Sequence, residues 1–175
     1  MFAQESFKPH YTNMTEFGGL FGRVGYDFIS NTQYSNRLSF TLQTFNGVQL
    51  KPRWALGMAT GIDWYTSALI MPVTIGTRYD LIHSEKKVSI FGIFDGGYGF
   101  NWLNADATNY KTKGGFTLNT GLGLKLNLKN KTAFVMSLSY KMQKAFIEKP
   151  LFWQDLARTE DRTYNRMAFR IGISF

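Results

Sequence analysis

The chain offers few groups for chemistry. His10 and His83 are its two histidines, and it has no cysteine. Disulfide scaffolds, thiolate zinc sites and cysteine nucleophiles are therefore excluded, and two imidazoles make no His-rich metal site. His83-Ser84-Glu85 has the letters of a base, nucleophile and acid. Three consecutive residues in a turn do not converge in space as those roles demand. Gly96-Gly97 and Gly114-Gly115 lack the following helix and the Lys-Ser/Thr pair of a phosphate loop. No catalytic, cofactor-binding or metal-binding residue is assigned, no cofactor is expected, and an enzyme is not expected. What the sequence does carry is charge: 20 Lys and Arg against 12 Asp and Glu, a net +8. Such a balance suits anionic partners, nucleic acid or lipid headgroups. The basic residues form no stripe, which argues against nucleic acid.

The elements that must position these charges are strands. Counting back from Phe175 in twos, one face reads Phe175, Ile173, Ile171, Phe169, Met167 and the other Ser174, Gly172, Arg170, Ala168, Arg166. That is the period of a strand. The same alternation of bulky apolar against small or polar residues recurs over Trp54–Tyr65, Met71–Leu81, Phe116–Leu128 and Thr132–Gln143. It is less regular over Leu20–Phe28, over Leu38–Leu50, where Phe45 falls on the small face, and over Val88–Trp102, blurred by Phe91 and Ile93. Eight strands of roughly 9–14 residues result. Soluble strands run about 5–6 residues, whereas a tilted membrane strand needs about 9–11. No run of 18 apolar residues is present, so no membrane-spanning helix is expected. Met1-Phe2-Ala3-Gln4 has neither the charged start nor the apolar stretch of a secretory signal, which suits a mature exported protein and a cytosolic one alike.

Volume decides which face points inward. The interior of an eight-stranded barrel is only just wide enough for side chains, so the Gly, Ala, Ser, Thr and Asn face belongs inside. The Phe, Leu, Ile, Met, Tyr and Trp face then points outward and requires lipid. Aromatic rings, 17% of the chain, gather near strand ends: Trp54, Phe134 and Phe175 at one, and Tyr26, Phe28, Trp64, Tyr98, Trp102 and Tyr140 at the other. These are the expected interfacial girdles. Lys51-Pro52-Arg53, His83–Lys87 and Lys129-Asn130-Lys131 read as short turns; Ser30–Arg37, Thr66–Ile70, Leu103–Gly114 and Lys144–Thr163 read as longer loops.

On these residues the chain resembles the OmpA/OmpX-like eight-stranded outer-membrane β-barrel proteins. The resemblance is carried by the terminal Phe175 with its alternating Ile173, Ile171, Phe169 and Met167. It is carried also by Phe40–Tyr65, with Asn46-Gly47 and Gly57–Asp63, and by Phe94–Phe100, with Asp95-Gly96-Gly97-Tyr98. It implies an all-β, antiparallel, up-and-down transmembrane barrel, one domain over 1–175, integral to the bacterial outer membrane. The short turns would be periplasmic, the long loops extracellular, and residues 1–16 a periplasmic N-terminal segment. The alternating C-terminal residues look like a signal for the outer-membrane assembly machinery. Some barrels of this size modify lipid A, but His83 and His10 fall on the periplasmic side, away from it.

Two sets of residues remain as candidates. Arg23, Asp27, Asp63, Arg78, Asp80, Asp95, Lys125, Lys141, Arg166 and Arg170 alternate onto the small face and are expected to form a charge network that fills the lumen. Phe146, Ile147, Leu151, Phe152, Trp153 and Leu156 crowd the last loop around Pro150, which could start a short helix over Leu151–Arg158. They form the candidate contact for a protein partner, the outer leaflet or the barrel rim. Lys111, Lys113, Lys144, Lys149, Arg158 and Arg162 suit lipopolysaccharide phosphates. The expected function is a structural or protein-interaction barrel with a plugged lumen. The alternatives are an accessory subunit of a larger export, assembly or uptake complex and, less well supported, a lipid A-modifying enzyme.

Overall fold

The structure, a computed structural model, describes residues 7–28, 31–65, 68–82, 88–101, 111–128, 132–150 and 157–175. Its strands are β1 (His10–Phe28), β2 (Asn31–Lys51), β3 (Trp54–Tyr65), β4 (Ala68–Ile82), β5 (Val88–Phe100), β6 (Lys111–Lys113), β7 (Gly115–Asn127), β8 (Ala133–Pro150) and β9 (Ala157–Ser174). Every pairing is antiparallel. Each long strand pairs with the next, and β9 pairs with both β8 and β1, so the sheet closes on itself. The three residues of β6 lie beside β8 in line with β7, from which Gly114 alone separates them. The wall therefore has eight staves. Closure leaves no open edge, the condition under which a sheet can cross hydrocarbon.

The period-two pattern maps onto the wall as volume demands. Phe17, Leu42, Leu56, Met58, Ile75, Phe94, Leu122, Leu138, Phe169 and Ile173 all lie on the outside. Trp64 and Phe40, a cross-strand pair each 68% exposed, belong to this continuous apolar outer face, whose extent suits lipid rather than water. We call the end that carries the Pro52-Arg53 turn and Phe175 the turn end, and the other the hairpin end. Toward the turn end of β1 and β2 the outward residues become polar, and they satisfy one another: Asn13 Nδ2 donates to Asn46 Oδ1 at 2.7 Å, and the Tyr11 hydroxyl to the same oxygen at 2.6 Å.

Strand limits depart most from the sequence reading in two places, besides β6, which falls inside the expected loop Leu103–Gly114, and β4, which starts at Ala68. β1 begins at His10 rather than Leu20, so residues 10–16 belong to the wall and not to a separate leading segment. The sequence period groups Leu20 with Val24, Tyr26 and Phe28 on the lipid face and Phe21 with Arg23 and Asp27 opposite; the structure reverses the first pair, with Leu20 fully buried and Phe21 exposed. Second, the expected loops Ser30–Arg37 and Lys144–Thr163 are largely strand. β1 leaves β9 after Phe21↔Met167 but stays paired with β2 as far as Phe28↔Asn31. β8 and β9 stay paired as far as Pro150↔Ala157, with β6 alongside. Ala157 and Arg158 are thus strand, not the end of a helix. Two hairpin arms extend past the closed wall. There the ladder needs only its backbone bonds, so no apolar period marks it.

Candidate functional site

The barrel interior is the place where charged chemistry gathers. Six of the expected lumen residues are buried there: Asp63, Arg78, Asp95, Lys141, Arg166 and Arg170. Asp80 and Lys125 are half-buried near the turn end, around a cavity of about 30 Å³ that Arg53 and Arg78 also line. The side chains of Arg23 and Asp27 lie outside the described residues.

The buried charges form two nodes. At the first, Arg78 grips Asp95 with two nitrogens, Nη1 to Oδ1 at 2.5 Å and Nη2 to Oδ2 at 3.2 Å. Asn119 and Gln43 donate to Oδ2 from β7 and β2, at 2.8 and 3.2 Å. The guanidinium also lies 4.3 Å from the centre of the Phe45 ring. Four strands thus converge on one carboxylate. A bidentate pair with further donors is the arrangement that offsets desolvation. At the second node Lys141 pairs with Asp63, and the Thr41 hydroxyl donates to Asp63 Oδ1 at 2.7 Å. A cavity of about 10 Å³ lies against Asp95 and Lys141, with room for about one water.

Residues that the sequence reading left off the network complete it. Glu16 accepts from the Ser137 hydroxyl at 2.6 Å, across the closing strands. Its strand was expected to start at Leu20, so its side had no period to reveal it. Arg170 donates to Ser139 at 3.1 Å, and Arg166 to the Gly22 carbonyl at 2.7 Å.

Two apolar clusters bracket this polar layer. Met14, Phe45, Ala55, Ala59, Phe91, Ile93 and Val135 pack toward the turn end. Leu20, Tyr65, Ile70, Ala145, Tyr164 and Ala168 pack toward the hairpin end, with the Tyr65 and Tyr164 rings stacked at 4.8 Å. The expectation that bulky apolar groups stay outside is corrected here. Phe45, Phe91 and Ile93, which blurred the alternation, point inward. The two rings fit because glycines face them: a methyl at Gly123 would run into the Phe91 ring, and one at Gly47 would meet Phe45.

The outward C-terminal set sits as its period required: Met167, Phe169, Ile173 and Phe175 are exposed and Ile171 half-buried. Phe175 exchanges two backbone hydrogen bonds with Asn13, at 2.7 and 3.0 Å. The candidate contact residues Leu151, Phe152, Trp153 and Leu156, the side chains of Phe146 and Ile147, and His83-Ser84-Glu85 lie outside the described residues. So do the side chains of Lys111, Lys149, Arg158 and Arg162. Lys113 and Lys144 are exposed. His10 is exposed, its Nδ1 3.4 Å from the Lys8 carbonyl. Among the described residues no three His, Asp or Glu gather as metal ligands.

No protein-family model matches the sequence, and no curated protein does. Solved structures do match the fold. The solid-state NMR structure of the outer membrane protein AlkL in DMPC lipid bilayers aligns over 94% of this chain and 88% of its own, at 10% identity and a TM-score of 0.57. The crystal structure of the outer membrane protein OprG from Pseudomonas aeruginosa aligns over 94% and 93%, at 15% identity and a TM-score of 0.56. The fold is that of the OmpA/OmpX-like eight-stranded outer-membrane barrels. Identities this low carry the architecture and leave the role to be argued from the chain's own residues.

Proposed function

We propose that the chain is an integral outer-membrane barrel whose lumen is filled by its own side chains, with a structural or protein-binding role rather than a catalytic one. In this reading the hairpin arms face the cell exterior and the turn end the periplasm. The observation that carries it is the Arg78–Asp95 node. Side chains from β2, β4, β5 and β7 meet at one carboxylate in mid-lumen, with apolar clusters on either side. Open pores of this class take about 16–18 strands. In planar bilayers the purified barrel is expected to give no stable conductance steps; large, steady steps would overturn the filled lumen.

A docking role as accessory subunit of a larger export, assembly or uptake complex is the second reading. It is favoured by the β8–β9 arm, whose strands run on to Pro150 and Ala157 with Lys111–Lys113 beside them, well past closure of the wall. Residues 151–156 link those strands, and there the sequence concentrates Phe152 and Trp153. Affinity purification from detergent-solubilised membranes checks it. A Phe152→Ala/Trp153→Ala variant should lose specific partners; retention of all of them removes the arm from the account.

A further inference from the structure

The outer wall at the turn end holds an open hollow of about 540 Å³, lined by Lys51, Pro52, Arg53, Trp54 and Tyr79. That lies within the size range of ligand sites, roughly 300–1,000 Å³. Its frame is fixed by the backbone. Trp54 is the cross-strand partner of both Lys51 and Tyr79. The Asp80 amide donates to the Arg53 carbonyl at 2.8 Å, and Gln49 Nε2 to the Pro52 carbonyl at 2.8 Å. The β2–β3 ladder shifts register between Gln49 and Lys51, and the β4–β5 ladder between Asp80 and Ile82. Bulges on both sides re-aim the side chains of the turn.

The chemistry of this hollow is two-sided. Lys51 and Arg53 are exposed, and among the described residues no ion pair engages either. The Trp54 indole N–H is already committed to the Thr77 hydroxyl at 2.6 Å, so this residue presents its ring rather than a donor. Tyr79 is 48% exposed and brings a phenol. Directly next to them the lipid-facing wall continues with Leu50, Leu56, Leu81 and Ile82. An occupant must therefore offer a negative head to the two cations and a hydrocarbon tail to the wall. A soluble anion meets the first condition only, and an uncharged lipid only the second.

We infer that this hollow binds the phosphate-bearing headgroup of an anionic glycerophospholipid, with Lys51 and Arg53 holding the phosphate and Trp54 and Tyr79 flanking the glycerol region. Charge complementarity at a membrane surface and amphipathic rings at the headgroup level are the forces it uses. The inference rests on the transmembrane-barrel reading and adds a leaflet-facing site to it.

The test uses the full chain in phosphatidylcholine vesicles, with Trp64, Trp102 and Trp153 changed to Phe so that Trp54 reports alone. Brominated phosphatidylglycerol and brominated phosphatidylcholine are compared as quenchers at equal mole fraction. Excess quenching by phosphatidylglycerol is expected. It should fall on the order of tenfold in binding preference in a Lys51→Gln/Arg53→Gln variant, and should fall in the unmutated chain at high salt. Equal quenching by the two lipids, or an excess untouched by both the variant and salt, overturns the site. So does quenching displaced by lipopolysaccharide but not by unlabelled phosphatidylglycerol. A heat-dependent gel shift run on the same samples separates this from failure of the barrel: a chain that shows no shift, and stays monodisperse in plain buffer without lipid or detergent, would sink the fold reading itself.

Discussion

Two arginines buried in the same lumen are treated very differently. Arg78, on β4, has both terminal nitrogens on Asp95 and its plane against Phe45. Arg170, on β9, is 1% exposed and has a single bond, to Ser139; its Nε and Nη2 meet no partner among the described residues. Burial desolvates both to a similar degree. One is offset by a carboxylate and a ring, the other by a hydroxyl. Arg78 leaves only its Nε without a partner; a buried charge paired with a carboxylate is costly to break and one held by a hydroxyl alone is more readily replaced, so Arg78 acts as a rivet and Arg170 as filler.

That contrast can be broken by measurement, using urea unfolding of the protein in phospholipid vesicles. The largest effect is expected for Arg78→Met, which leaves the Asp95 carboxylate buried without its counter-charge: a loss of about 3–5 kcal/mol. Next is Gly123→Ala. Its methyl meets the Phe91 ring in the cluster beneath Arg78, and overpacking of a filled core destabilises by about 1–3 kcal/mol. Thr41→Val removes one donor to Asp63 while Lys141 stays, for about 1.5 kcal/mol. Arg170→Met should fall within about 1 kcal/mol of the unmutated protein, on either side. If Arg170→Met proves as damaging as Arg78→Met, the two sides are equivalent and the distinction fails.

The outside of this barrel was easier to read than the inside. Most outward positions answer to one solvent, hydrocarbon, so the series from Met167 to Phe175 shows a bare alternation and that from Phe116 to Leu126 is broken only at Thr120. An inward position answers to its particular neighbours. Asp95 is tolerated because of Arg78, Asn119 and Gln43, and Phe91 because of Gly123; these partners lie on other strands and leave no local period. The start of β1 was missed for a related reason. Asn13 and Thr15 face outward with Thr44 and Asn46, their cross-strand partners, in a hydrogen-bonded polar patch. Polar residues on both faces erase the signal. The arms read as loops in the sequence because pairing past the closed wall asks nothing of the side chains.

The junction of β1 with β9 spans Met14↔Ser174 to Phe21↔Met167 and joins the first strand of the barrel to the last. During synthesis the first strand must wait, unpaired on that side, until β9 has been made. Its partner is separated by nearly the whole polypeptide, the sequence separation that makes folding slow. Removing the closing residues of β9 would therefore weaken the latch that turns a curled sheet into a ring, and would leave two sticky margins for another chain to find.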